Sequence, residues 1–151
     1  MDLATIVDRV KQKFPESISE VLTFRGETTL RVRSDDLLPL CRFLHDDPEM
    51  AFDFLIDLCG VDDLPREPRF QVVYHLASTK TRLRLRLKAS LPETRPQIAS
   101  VFSVWKAADW LEREAFDMFG ITFTGHPDLR RILLTPEWQG YPLRKDYPLR
   151  G

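Results

Sequence analysis

The chain has 151 residues with 22 Lys and Arg against 23 Asp and Glu, so its formal net charge is −1 and its length fits one domain with a single hydrophobic core. A charge this close to zero provides no global basic field of the kind that attracts nucleic acid or an anionic membrane, and neither partner is predicted. The two cysteines, Cys41 and Cys59, stand far apart in apolar runs, which suggests neither a CxxC metal pair nor a disulfide framework and fits a reducing compartment best.

The first part of the chain predicts a helix, a hairpin and a second helix. Apolar residues recur at helical spacing over 3–14 and predict the first helix, and this N-terminus has no feature of a signal or transit peptide. Two β-branched runs joined by a glycine turn predict a hairpin over 18–32. The polar run Ser34-Asp35-Asp36 can cap a second helix that ends near 45–48. Pro39 would fall in the first turn of this helix, where proline is tolerated.

The middle of the chain changes to a period of two. Alternating apolar residues over 52–58, 70–76 and 83–87 predict three strands that form a meander. The longest apolar run, 50–61, is interrupted by two aspartates and is far shorter than the roughly 20 residues that a membrane-spanning helix needs. We therefore expect a soluble protein.

A third helix is predicted over 97–119, in two pieces, with Gly120 as its C-cap. The order helix, hairpin, helix, three-strand meander, helix predicts an α+β fold in which helices pack on a mainly antiparallel sheet. We expect an α+β domain over 1–119 and an extended C-terminal docking arm over 120–151, together in one domain unit.

The C-terminal segment is too irregular to be one helix or one strand. Its glycines permit turns, His126-Pro127 favours extended backbone, and Arg130 and Arg131 follow directly, so that their charges are presented in a set geometry. Further prolines and large amphipathic side chains such as Trp138 and Tyr147 complete the segment. This composition predicts an arm that wraps a neighbouring protein through forked carboxylate pairs and aromatic contacts. The alternative is a tail that folds back over its own sheet.

No catalytic, cofactor or metal site is predicted on this chain. The three histidines lie in different elements, and the sequence contains no HExxH, CxxC, GxGxxG or Walker pattern. Glu112, Glu114 and Asp117 offer carboxylates on one helix, but no nucleophile or electrophile stands near them in the motif. Pairing of these carboxylates with the basic residues of the tail is favoured over acid–base catalysis.

The strand over 81–88 alternates leucines with arginines and a lysine, a pattern that could also grip a phosphate backbone. RNA recognition on a sheet normally adds exposed stacking aromatics among the cations, whereas here the alternating leucines must face the core. A solvated or partner-facing edge of the sheet is favoured, and the long cations would also protect such an edge strand from mispairing.

Three stretches near the C-terminus form a specific motif: DWLEREAFDMFGI over 109–121, GHPDLRRIL over 125–133 and PLRKDYP over 142–148. Together they resemble the C-type subunit of bacterial NADH:quinone oxidoreductase, in the respiratory complex I family, whose relatives include the mitochondrial counterpart and the chloroplast J-type subunit. Tyr141, where the family commonly has histidine, and the order Thr135-Pro136-Glu137 depart from the family pattern and leave the local turn open.

The resemblance implies a non-catalytic peripheral-arm subunit that supports the quinone-reducing module of a proton-translocating enzyme. It implies contacts with the D-type subunit, which lines the quinone cavity, with the B-type iron–sulfur subunit and with other peripheral-arm subunits. FMN, iron–sulfur clusters and quinone are expected on partner subunits, and the chain is expected on the cytoplasmic side of the bacterial inner membrane, held peripherally through the complex. The subunit-interface residues that the resemblance implies are Glu112, Glu114, Asp117, His126, Asp128, Arg130, Arg131, Trp138, Arg144, Lys145, Asp146 and Tyr147.

Three alternatives remain open. The module to which this family belongs also occurs in membrane-bound hydrogenases and in quinone oxidoreductases with another electron donor, and an equivalent subunit there would carry the same motif. A stand-alone enzyme would use Glu114 and Asp117, and a small RNA-binding domain would use the arginine strand over 81–88.

Overall fold

A computed structural model describes residues 1–148 of the chain, which contain three α-helices, one short 3-10 turn and seven β-strands in two sheets. The helices are α1 (Leu3–Lys13), α2 (Leu37–Asp46) and α3 (Ala108–Phe119). The strands are β1 (Ile18–Phe24), β2 (Glu27–Val32), β3 (Phe54–Asp62), β4 (Phe70–Ala77), β5 (Arg84–Leu91), β6 (Gln97–Ala99) and β7 (Thr122–Thr124). The predicted α+β class is confirmed.

The larger sheet has the strand order β1-β2-β5-β4-β3. The predicted hairpin of β1 and β2 and the predicted meander of β3, β4 and β5 are both antiparallel. The two halves of the sheet meet where β2 and β5 pair in parallel, through Thr29 with Arg86 and Arg31 with Lys88. A parallel pair requires a long connection, which α2 and the first two strands of the meander provide here.

One face of this sheet packs on the helices. Along β5, Leu85, Leu87, Ala89 and Leu91 are buried, while the residues between them are exposed or half-buried. They form one apolar core with residues of α1, α2 and the neighbouring strands, including Ile6, Val10, Leu40, Leu44, Leu30, Val72 and Tyr74. The leucines of the arginine strand therefore face the core, as the alternation predicts. The expected edge position is wrong, because β5 is the central strand and pairs with β2 and β4.

The predicted third helix over 97–119 is wrong in its first part. Residues 97–99 form β6, which pairs in parallel with β7, and α3 begins only at Ala108. The helical pattern was misleading because Val101 and Trp105 are buried in the turns after β6 as they would be in a helix. The strand partner of Ile98, Phe123, lies beyond α3. The C-cap was predicted correctly: Gly120 is left-handed at φ 77°, and its N–H donates to the Phe116 carbonyl at 2.8 Å.

No helix within residues 1–148 combines the length and the apolar character that crossing a bilayer would require. The cysteines in this part of the chain are free thiols, Cys41 in the core and Cys59 on the exposed side of β3.

Candidate subunit interface

Residues 125–148 follow β7 and contain no helix or strand; we refer to them as the arm. Most of their backbone hydrogen bonds close single turns, such as Trp138 N–H to Thr135 O at 3.0 Å and Tyr147 N–H to Arg144 O at 3.1 Å. One backbone bond reaches the domain, from Leu143 N–H to the Met118 carbonyl of α3 at 3.1 Å. Since no ladder holds the arm, its path otherwise depends on side chains that join it to the rest of the chain. Three such anchors lie along it, at α3, at Gly120 and at the ends of β3 and β4.

The first anchor is Asp117 of α3, whose side chain is fully buried. One carboxylate oxygen accepts from Arg131 Nη1 at 2.7 Å, and the other accepts the amides of Ile132, Leu133 and Leu134 at 3.2, 2.7 and 3.0 Å. Burial by itself raises the pKa of this carboxyl, but the guanidinium and the three amides outweigh burial and hold the pKa of Asp117 below its ordinary value. The carboxylate therefore fixes the backbone of the arm as well as its cation.

The second anchor is a stack of cations on Tyr141. The guanidinium carbons of Arg131 and Arg144 lie 5.0 and 4.8 Å from the centroid of the Tyr141 ring, and Arg144 Nε donates to the Phe119 carbonyl at 2.7 Å. A Cβ added to Gly120 would come within 2.7 Å of a Tyr141 ring carbon. Glycine is thus required at 120 both for its left-handed backbone and for this close approach.

The third anchor is Arg69, whose side chain is buried immediately before β4. It donates through Nε and Nη2 to both oxygens of Asp62 at 2.9 and 2.8 Å, through Nη1 to Glu93 at 2.9 Å, and through Nη2 to Asp146 of the arm at 2.7 Å. Asp62 also accepts the amide of Lys145 at 2.7 Å. The bonds from Arg69 hold the pKa of Asp62 far below its usual range, so this carboxylate stays ionised and holds the end of the arm.

The start of the arm is joined to α3 by His126, whose ring has no exposed surface. Its Nδ1 accepts the amide of Asp128 at 2.9 Å, and its Nε2 lies 3.1 Å from a carboxylate oxygen of Asp109. Because Nδ1 is the acceptor, these hydrogen bonds assign the proton to Nε2.

The three predicted helix carboxylates, Glu112, Glu114 and Asp117, have different surroundings in the structure. Asp117 pairs with a tail cation as expected. Glu112 does not: it is buried and accepts from Ser100 Oγ at 2.5 Å and from the Val101 amide at 2.9 Å, and burial raises its pKa to about 7. The expectation that Glu112 pairs with the tail is therefore wrong, because the turn after β6 supplies its partners. Glu114 is half-buried and makes no ion pair within the described residues.

The remaining predicted residues lie on the outer side of the arm or close to its anchors. Arg130 is exposed and pairs locally with Asp128 at 2.9 Å, while Tyr147 lies against Gly140. Lys145 donates through Nζ to the Leu64 carbonyl at 3.2 Å. Trp138 is exposed, as are Leu133 and Leu143 of the arm and Trp110 of α3.

Sequence reasoning missed Arg69 and Asp62. The signals available were weak: an aspartate at the end of an apolar run and an arginine before the next one, separated by a connector with two prolines. Their roles depend on Asp146, which is distant in sequence and reaches Arg69 only in the folded chain. Within residues 1–148, no three His, Cys, Asp or Glu side chains are arranged to hold a metal ion.

Comparison with known proteins identifies the family. The sequence model of the family described as "Respiratory-chain NADH dehydrogenase, 30 Kd subunit" matches residues 30–151. The chain belongs to this family. Two relatives with a similar sequence are both named as the C-type subunit of NADH-quinone oxidoreductase. That of Roseiflexus sp. (strain RS-1) is 50% identical over 149 residues, which cover 99% of this chain and 86% of the relative. That of Geotalea uraniireducens (strain Rf4) is 50% identical over 145 residues, which cover 96% and 87%.

Two solved structures share the fold of this member of the 30 kDa subunit family. One is Nqo5, solved as a trypsin-resistant fragment (1-134), with a TM-score of 0.71 and 30% identity over 85% of this chain and all of the fragment. The other belongs to a membrane-bound sulfane sulfur reductase, an archaeal respiratory membrane complex, with a TM-score of 0.80 and 27% identity over 97% of this chain and 85% of that one. The resemblance stated from the C-terminal motif is confirmed. The interface roles of its twelve residues and the boundary at residue 119 stay predictions.

Proposed function

We propose that this chain is a peripheral-arm subunit of a proton-translocating NADH:quinone oxidoreductase, where it supports the quinone-reducing module and the passage of electrons from NADH to quinone. The observation that carries the proposal is the match to relatives named as the C-type subunit, at 50% identity over 99% of the chain. The proposed contacts are with the D-type and B-type subunits on the cytoplasmic side of the bacterial inner membrane. FMN, iron–sulfur clusters and quinone would be held by partner subunits, and this chain would carry no catalytic centre.

The geometry of the arm supports a docking role. Its inner side is anchored by Asp117, Tyr141 and Arg69, while its outer side exposes Trp138 and Leu143. Large aromatic and apolar side chains are the residues most often found at the centre of protein interfaces. An arm that is already held in one path loses less conformational entropy on binding than a free tail would. The anchors thus prepare the exposed residues for contact with a partner.

The predicted interface residues differ in whether their side chains are already paired within the chain or are exposed. Asp117, Arg131, Arg144 and Asp146 would act by shaping the arm, since their charged groups already have partners in the chain. Asp128, Arg130 and Trp138 are exposed and would contact the neighbouring subunit directly.

A second candidate is the equivalent subunit of another respiratory membrane complex. The fold match to a chain of the sulfane sulfur reductase, which covers 97% of this chain, favours it. Fold does not determine the electron donor, because the same module can be joined to different input subunits.

The two candidates are separated by purifying the tagged full-length chain from detergent-solubilised membranes and identifying its partners by mass spectrometry. We expect quinone-module and NADH-input subunits with the wild type, and their loss with the double variant Trp138→Ala and Leu143→Ala, which changes only exposed arm residues. Lys106→Ala, at an exposed position outside the arm, is the control and should retain the partners. Recovery of hydrogenase or sulfur-reductase subunits would select the second candidate, and absence of any respiratory subunit would refute both.

A further inference from the structure

A second group of exposed apolar side chains lies away from the arm. Leu22 and Phe24 of β1 and Phe54 and Ile56 of β3 are all exposed, with Phe24 at 69% and Phe54 at 55% of their full accessible surface. They form two pairs, one on each edge strand of the larger sheet, with β2, β5 and β4 between them. Single exposed apolar residues need no explanation, whereas several on one face of a sheet are a candidate interaction site.

The register of the sheet places this group on one face. Leu22 pairs with Thr29, Thr29 with Arg86, Arg86 with His75, and His75 with Asp57, so these five residues form a row across all five strands. Residues that stand opposite each other in a ladder project to the same side of the sheet. The row lies on the side opposite the buried leucines of β5, where its members on β1 and β3 are exposed.

The exposed apolar group sits at one end of this face. Phe54 begins β3, and its ladder partner Ala77 ends β4, whereas Asp62, which anchors the arm, ends β3. Phe54 and Asp62 are eight steps apart along β3, which separates the sites by roughly 26 Å. At the Phe54 end a recess of about 500 Å³ opens, lined by residues that include Ile56, the cations Arg82, Arg84 and Arg86, and the carboxylates Glu27 and Asp57. A side chain from a partner could occupy such a recess, as buried aromatic or apolar side chains do at the centre of protein interfaces.

The charges of this face favour an acidic partner. Two of its cations are already paired, Arg86 with Glu27 at 2.9 Å and Arg31 with Glu20 at 3.6 Å. Arg84 and Lys88 make no ion pair within residues 1–148. The cationic side chains of this face and its turn are Arg25, Arg31, Arg82, Arg84, Arg86 and Lys88, against the carboxylates Glu20, Glu27 and Asp57.

We infer that this sheet face is a second docking surface, which binds an acidic surface with an apolar anchor on another protein subunit of the same complex. The chain would then join two subunits, one through the arm and one through the sheet. The inference rests on the proposed function in that it requires a multisubunit complex.

Other occupants fit the face less well. A second copy that docked through the same face would place one excess of cations against another. A single-stranded RNA would need neighbouring aromatic platforms for successive bases, but Phe24 and Phe54 lie on the two edge strands, roughly 19 Å apart across the sheet.

The test uses the full chain in its assembled complex, with the photoreactive amino acid p-benzoylphenylalanine replacing Phe24 in one version and Trp138 in another. Cross-linked peptides are identified by mass spectrometry after illumination of intact membranes. We expect the probe at 24 to join a peptide rich in Asp and Glu on a different subunit, and the probe at 138 to join a quinone-module subunit.

Charge reversal then tests the electrostatic part of the inference. Arg84→Glu with Lys88→Glu should lower cross-linking from position 24 by roughly tenfold and leave cross-linking from position 138 unchanged. The matched control, Lys11→Glu with Lys106→Glu, changes exposed cations outside the face and should leave both signals unchanged. Thermal melts verify folding, and Arg84→Gln with Lys88→Gln replaces the reversal if it fails to fold.

The outcomes separate the two proposals. Cross-linking from position 24 only within the chain, to a second copy, to RNA or to nothing, while position 138 reports its partner, refutes the docking surface and leaves the proposed function intact. Loss of the signal from 138 alone refutes the arm assignment, and an acidic subunit captured at 24 would still support the surface. An unchanged signal at 24 after charge reversal refutes its acidic complementarity.

Discussion

Asp117→Asn should release the arm while the core stays folded. The wild-type carboxylate accepts one hydrogen bond from Arg131, at 2.7 Å, and three from the amides of residues 132–134. Asparagine keeps one acceptor oxygen but turns its NH2 group towards these donors, and it leaves the nearly buried Arg131 without an opposite charge. The change therefore acts on the docking of the arm rather than on the apolar core.

The size of the effect follows from the burial of this pair. Removing one partner of a buried ion pair costs about 3 to 5 kcal/mol, and the lower value applies because the amide oxygen of asparagine still accepts a hydrogen bond. Since 1.36 kcal/mol corresponds to a tenfold change in an equilibrium, about 3 kcal/mol should raise the undocked population of the arm roughly a hundredfold.

Limited proteolysis measures that population. Trypsin cleaves after Arg131, Arg144 and Lys145 in the arm, and the cleavage rate follows the open population when opening and closing are fast. We expect the initial rate at these bonds to rise roughly a hundredfold, with little change in thermal melting of the core. Glu114→Gln is the matched control, since it neutralises a half-buried carboxylate on the same helix that has no ion pair in the described residues.

Two results would contradict this reasoning. Cleavage of Asp117→Asn at the wild-type rate would show that the carboxylate does not hold the arm. A large fall in core stability that accompanies the faster cleavage would show that the arm and the core unfold as one unit.

Three further predictions concern the buried charges and the core. Folding favours the protonated form of Glu112, because burial raises the pKa of its carboxyl from an ordinary 4.5 to about 7. The free energy of unfolding should therefore fall by about 3 kcal/mol as pH rises through this range. Thermal melts between pH 5 and 8 should show this dependence in the wild type and lose it in Glu112→Gln. Arg69→Met should cost about 3 to 5 kcal/mol in urea unfolding because it leaves Asp62 charged and buried. Asp146→Asn, at a mostly exposed carboxylate, should leave the midpoint of urea unfolding almost unchanged. Leu85→Ala should cost about 2 to 5 kcal/mol in the same assay, and trypsin cleavage of the arm relative to the core should not change.

Most of the fold was readable from local patterns. The presence and order of α1, the hairpin and the meander follow from apolar periodicity, because it depends only on neighbours in sequence. The alternation was wrong in β3, where an irregularity between Leu55 and Asp57 leaves Phe54 and Ile56 exposed, and both β3 and β5 run past their predicted ends to Asp62 and Leu91. The cap at Gly120 was equally local, since the left-handed backbone at a helix end favours glycine. By contrast, the run 97–107 was misread as helix, since its pairing with residues 122–124 is not local.

The candidate site likewise has features that the sequence predicted and features that it did not. The motif identified which stretches of the chain matter, and the pairing of a helix carboxylate with a tail cation was predicted and found at Asp117 and Arg131. The partners of Glu112 and the role of Arg69 were not predictable, because burial and hydrogen bonding at these residues depend on where Ser100 and Asp146 lie in the folded chain.

The sequence by itself determined the family, the α+β class and the position of the arm, because motif, periodicity and turn chemistry are properties of neighbouring residues. Only the tertiary structure decided that the arm is anchored to its own domain, through Asp117, Gly120 and Arg69, and that an uncovered sheet face lies at the far end of β3. The physical reason is that a buried charge is stable only where several groups, distant in sequence, converge to satisfy it.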